Sequence, residues 1–101
     1  MKPAIFHREA EAELEDAIAW YESKRAGLGS DLQEQVEVAV VSIRTKPIRH
    51  PKYKDQGVRN CRVKRFPYTV YFLELDEIIW IAAVAHHKRK PDYWATRDPH
   101  D

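Results

Sequence analysis

The stretch VRNCRVKRFPYTVYFLELDEIIWIAAVAHHKRKPDYW, Val58–Trp94, decides the fold. Three runs within it, 58–65, 68–75 and 78–86, are rich in β-branched and aromatic residues and are separated by the turn-forming pairs Phe66-Pro67 and Asp76-Glu77. They predict three strands in an antiparallel meander. In the first run Cys61 and Val63 alternate with Asn60, Arg62 and Lys64, giving one apolar and one cationic face. The third run is apolar on both sides, which suits a central strand beneath a covering layer. It ends in His86-His87, followed by Lys88, Arg89, Lys90, Tyr93 and Trp94. Alternation sends the two histidines to opposite faces. If the phase holds, His86 shares a face with Trp80, Ala82 and Val84, and His87 with Ile79, Ile81, Ala83 and Ala85.

The covering layer lies upstream. From about Arg8 to Ala26, Ala10, Leu14, Ala17, Ile18 and Tyr21 recur on one helical face, with acidic residues early, Lys24 and Arg25 late, and Gly27 to close the helix. Ser30 and Gln33 read as a capping box opening a second helix, whose stripe is Leu32, Val36, Ala39, Val40 and Ile43 and whose end is Lys46 before Pro47. The short Gly27-Leu28-Gly29 link predicts an antiparallel helix hairpin. Residues 48–57 read as a loop, and Ala4–Phe6 as an added edge strand. The expected fold is therefore α+β, one domain over residues 1–101, with an N-terminal helix hairpin packed on a small antiparallel sheet of three to four strands.

Charge divides the chain. Residues 1–37 hold nine Asp/Glu against four Lys/Arg, and residues 38–101 hold thirteen Lys/Arg against seven Asp/Glu. Between Arg44 and Arg65, nine cationic residues face only Asp55, which predicts a local field of one sign, although the same residues also fit a plain solvated surface. One cysteine excludes an internal disulfide, and no apolar run is long enough to span a membrane, so a soluble cytoplasmic protein is expected. Phe66, Tyr71, Phe72 and Trp80 are expected between sheet and helices, Cys61 in the core, and Trp20 and Tyr53 on a partner surface or in satellite packing.

The helix hairpin, the basic strand ending in RVKRFPY, the partner strand TVYFLEL and the final AVAHHKRKPDYW together resemble the RelE/ParE superfamily of bacterial toxins. The similarity spans nearly the whole chain. Its most specific parts are Phe66–Tyr68 with Val70-Tyr71-Phe72, and Ala83–His86 leading to basic residues and Tyr93. The resemblance implies the toxin of a type II toxin-antitoxin pair, a plasmid-stabilisation or growth-inhibition module, neutralised by a cognate antitoxin. RelE-like members are metal-free endoribonucleases acting on messenger RNA in the ribosome, whereas ParE-like members bind and poison DNA gyrase.

Metal-free RNA cleavage needs a base, a cation at the phosphate and an acid. Candidates for such a site are His86, His87, Arg65, Arg89 and Tyr93. Candidates for gripping a target or RNA are Arg59, Arg62, Lys64, Arg65, Lys88, Arg89 and Lys90, with Tyr93 or Trp94 available to stack on a base. At Thr69, nuclease members with an FPYR sequence carry an arginine that would reach the scissile phosphate; a hydroxyl cannot offer that two-pronged charge. Thr69 tilts the expectation toward the gyrase-binding class over the ribonuclease, with a non-toxic nucleic-acid-binding module as a third reading. No metal or cofactor is expected, because His7, His50 and His100 have no ligand spacing with the tandem pair and Cys61 has no companion.

Overall fold

In the computed structural model, which describes residues 1–54 and 57–100, the order of elements is β1 (Ala4–Phe6), α1 (Arg8–Lys24), α2 (Leu28–Thr45), a short 3-10 turn (Pro47–Arg49), β2 (Arg59–Arg62), β3 (Tyr68–Glu74) and β4 (Ile79–His86). Among the described residues no helix is long and apolar enough to cross a membrane. Asp55, the one acidic residue expected among the Arg44–Arg65 cations, lies outside the described residues.

Helix α1 follows its apolar spacing and is capped by His7, whose Nδ1 accepts the Glu9 N–H at 3.1 Å. Helix α2 starts two residues before the expected Ser30. Its N-cap is Gly27, at φ 90°, and the predicted Ser30–Gln33 box does not form the cap. The reason lies in the preceding helix: the Glu22 carboxylate accepts the N–H groups of Gly27 at 2.9 Å and Gly29 at 3.0 Å. One side chain thus joins the two helices and satisfies amides that a local cap would otherwise take. At Gly29 the helices touch so closely that a Cβ would stand 2.5 Å from the Ile18 carbonyl oxygen.

The sheet runs β1-β4-β3-β2. The β2–β3 and β3–β4 pairs are antiparallel as expected, but β1 pairs with β4 in parallel, so the sheet is mixed rather than antiparallel throughout. A parallel neighbour requires a crossover, and the helix hairpin forms part of it. Strand β2 ends at Arg62 instead of Arg65, because Arg65 adopts φ 71° in the turn closed by the Val63 N–H to Tyr68 carbonyl bond.

The alternation of β4 does not hold. Tyr71 lies opposite Ala83, yet the next residue, Phe72, lies opposite Ile81, leaving Ala82 as the extra residue of a β-bulge. Below the bulge Ile79 and Ile81 face the helices; above it Val84 and His86 do. Trp80, Ala83, Ala85 and His87 take the far face. His86 therefore does not share a face with Trp80, nor His87 with Ile79 and Ile81, as an unbroken strand would require.

Each face of the sheet has its own core. Leu32, Val36 and Ile43 of α2 and Ala10 and Ala17 of α1 bury Val70, Phe72, Ile79, Ile81 and Val84. Each large side chain in that layer contributes roughly 1.5–3 kcal/mol. The far face is covered by Tyr53 and the C-terminal tail: Trp94, only 4% exposed, stacks on Tyr71 with ring centres 4.5 Å apart. Phe66 and Phe72 meet the expectation of packing beneath the helices, whereas Tyr71 and Trp80 belong to the second core.

Hydrogen bonds from Gly27 and Gly29 hold the Glu22 carboxyl below the usual carboxylate range. A depressed carboxyl stabilises the fold above its unfolded pKa and ceases to do so as pH falls through its folded value. Urea unfolding of wild type and Glu22→Gln should show wild type ahead at neutral pH and the gap closing below about pH 4. A gap independent of pH would refute this cap.

Candidate functional site

Five of the expected cationic or imidazole side chains, Arg62, His86, His87, Arg89 and Lys90, line one cleft. Arg62 stands opposite Thr69 across the β2–β3 pair, Ala85 stands opposite Thr69 on β4, and His87 follows one residue past the end of that strand. The His87 Nε2 and the Thr69 hydroxyl are hydrogen-bonded at 2.9 Å. Arg89 and Lys90 enter from the turn after β4, and Tyr53, Tyr71, Tyr93 and Trp94 form aromatic walls around a cavity of about 320 Å³. Asp92, also at the wall, accepts from the Tyr53 hydroxyl at 2.8 Å and pairs with Lys54, and these bonds hold its carboxyl below the usual range. Its charge is thereby answered, while Arg62, Arg89 and Lys90 have no carboxylate partner among the described residues.

The other candidates lie elsewhere, each for a physical reason. The Arg59 guanidinium donates to the His50 carbonyl at 2.7 Å, bracing the 3-10 turn. Lys64 lines a separate groove with Gln35, Val38, Ala39, Ser42 and Cys61, because the strand has ended before it. Arg65 points toward the start of α2, 3.7 Å from Asp31, with its guanidinium over the Phe66 ring. Lys88 is exposed on the turn, where its N–H bonds the His86 Nδ1 at 3.0 Å. Arg44 donates to the Lys2 carbonyl at 2.8 Å. The Arg44–Arg65 run thus does not present one cationic face, because much of it serves as tethers.

The two histidines divide. His87 lies exposed in the cleft, and His86, which lines both the cleft and the groove on the helix side, holds its ring 5.0 Å from that of Tyr68. Burial, together with the neighbouring His87 and Lys88, holds the His86 imidazole below its usual pKa. Tyr93 is half-buried: its hydroxyl donates to Glu13 at 2.6 Å, and burial and that carboxylate push its pKa upward. Trp94 is buried in the second core and offers no face for a base. Chemically, the cleft offers two imidazoles, the Thr69 hydroxyl and three cations without a carboxylate partner among the described residues, beside aromatic rings, a setting for an anionic group.

Tyr53, expected on a partner surface or in satellite packing, lines the cleft, and Asp92 was not legible as a site residue. Tyr53 sits in a polar loop with no periodicity, and Asp92 reads as an ordinary turn residue; only their mutual bond, across 39 residues, marks them.

The comparisons agree with this architecture. A solved structure from the chromosomal ParDE toxin-antitoxin system of P. aeruginosa aligns with a TM-score of 0.75 at 17% identity, covering 85% of this chain and 96% of that one. At that identity the likeness speaks for the fold. No curated protein sequence matches. The model of the ParE toxin of the type II toxin-antitoxin system, parDE, matches residues 4–91, and the chain therefore belongs to the ParE toxin family.

Proposed function

We propose that this chain is the toxin of a type II toxin-antitoxin pair that arrests growth in the cytoplasm by binding DNA gyrase, without bond-breaking chemistry, and that a cognate antitoxin neutralises it. One observation supports binding over cleavage more than any other. His87 is hydrogen-bonded to Thr69, the position where nuclease relatives are expected to carry a phosphate-gripping arginine, and the β4 bulge turns the His86 ring against Tyr68, so that His86 lines the groove on the helix side as well as the cleft. Hydrolysis of RNA needs both an acid and a base at the phosphate. In this cleft His87 is engaged by Thr69, His86 packs its ring against Tyr68 with its Nδ1 accepting the Lys88 N–H, and the Tyr93 hydroxyl is occupied by Glu13. The unanswered Arg62, Arg89 and Lys90 favour engagement of an anionic surface instead.

The neutralising partner fits a second region. Strand β2 is a sheet edge, and the groove beside it, lined by Val38, Ser42, Cys61, Arg62 and Lys64, adjoins the exposed Val41 on α2. An acidic, amphipathic antitoxin segment can set apolar side chains on α2 and carboxylates on Arg62 and Lys64. Arg62 lines both this groove and the cleft, so such a segment covers part of the target-binding surface.

Arg62→Ala and Arg89→Ala should each weaken inhibition of gyrase supercoiling about 10- to 100-fold, the worth of a charge-assisted contact, while His87→Ala changes it only a few-fold. Ribosome-dependent cleavage of messenger RNA that disappears with His87→Ala would overturn the binding reading. Antitoxin affinity should fall as salt rises from about 0.05 to 0.5 M, since rim charges are screened over that range. Calorimetric titration giving the same Kd at both ends would contradict the charged interface.

A further inference from the structure

One buried carboxylate is unused by the cleft itself. Glu13, on α1, accepts the Tyr93 hydroxyl at 2.6 Å, the Val84 N–H at 3.1 Å, and the Arg97 guanidinium at 2.8 and 3.2 Å. Arg97 also donates to the Ala82 carbonyl at 2.9 Å. The side chains of Glu13 and Arg97 are 13% and 9% exposed, so this cluster holds its geometry largely out of water. It joins three distant pieces of chain: the first helix, the bulge of β4 and the C-terminal tail.

The far end of the cluster reaches the cleft. With its hydroxyl fixed, the Tyr93 ring carries the Arg89 guanidinium 3.8 Å from its centre, and Arg97 lies 5.3 Å from the same centre. Arg89 belongs to an exposed turn, and among the described residues no carboxylate holds it. Among the described residues its stacking on Tyr93 fixes its direction, and Tyr93 is in turn fixed by Glu13.

We infer that Glu13 is a positioning residue for the target-binding cleft: through Tyr93 it holds Arg89 aimed at an incoming anionic group of the target. This rests on the cleft being the target-binding surface. The device works by preorganisation, since a long arginine held in place loses less freedom on binding than one that must first be immobilised.

The test uses Tyr93→Phe, which keeps the ring and removes only the bond to Glu13, in the full-length protein. The Arg89 side-chain protons, lying over an aromatic face, should resonate upfield in wild type and move back toward ordinary arginine values in Tyr93→Phe. Gyrase inhibition should drop about three- to tenfold in Tyr93→Phe but not drop further when Tyr93→Phe is added to Arg89→Ala. Equal losses in both backgrounds, tracking thermal stability, would reduce Glu13 to a structural role and overturn the inference. So would unchanged Arg89 resonances. If wild type does not inhibit gyrase, the target assignment fails while the resonance shift still decides the role of Glu13.

Discussion

A single extra residue in β4 governs how this small fold presents its chemistry. With Ala82 inserted opposite the Tyr71–Phe72 step, the strand changes phase midway. Its lower half gives Ile79 and Ile81 to the helices and Trp80 to the far side, while its upper half gives Val84 and His86 to the helices and Ala83, Ala85 and His87 to the far side. Bulges disrupt the ladder locally, and an unpaired buried amide costs about 1–3 kcal/mol. Beyond Ile81, where β1 has given way to α1, the Val84 N–H and Ala82 carbonyl are met by Glu13 and Arg97. The kink in the strand and the docking of the tail are therefore one structural solution.

The distribution of charge follows. The acidic helix and the basic second half are not simply two poles, because several of their charges are spent on each other or on backbone: Glu13 on Arg97, Asp31 on Arg65, Glu22 on the amides of Gly27 and Gly29. Three cations without a carboxylate partner among the described residues, Arg62, Arg89 and Lys90, come together around the cleft. Exposed ion pairs contribute little to stability, so the fold rests mainly on its two apolar cores.

Much of this was legible from residues alone. The spacing of Ala10, Leu14, Ala17 and Ile18, and the β-branched runs after Val58, located both helices and three strands, since each buries one face against a partner. The direction of β1 was not legible, because three residues carry no signal for parallel or antiparallel pairing. The cap of α2 was misread because its ligand, Glu22, lies in the previous helix. The bulge was hidden by composition: across Ile81-Ala82-Ala83-Val84-Ala85 every residue is apolar, so no polar side chain betrays the change of phase. The expectation of one histidine beside Arg62 and Lys64 left open which histidine it was; the cleft gathers Arg62, Arg89, Lys90 and both histidines. Arg59, Lys64 and Arg65 lie elsewhere, since a local count of charge cannot tell a tether from a free cation. Glu13 was invisible among the five acids of the first half of α1, and only the fold singles it out.

The most direct test of this account is the proton-proton nuclear Overhauser pattern of the two histidine rings. The bulge predicts His87 ring contacts to the Thr69 side chain and His86 ring contacts to Tyr68, on opposite faces of the sheet. A pattern placing His86 against Thr69 and His87 against Tyr68 would mean that β4 runs without a phase change, and the cleft described here would not exist.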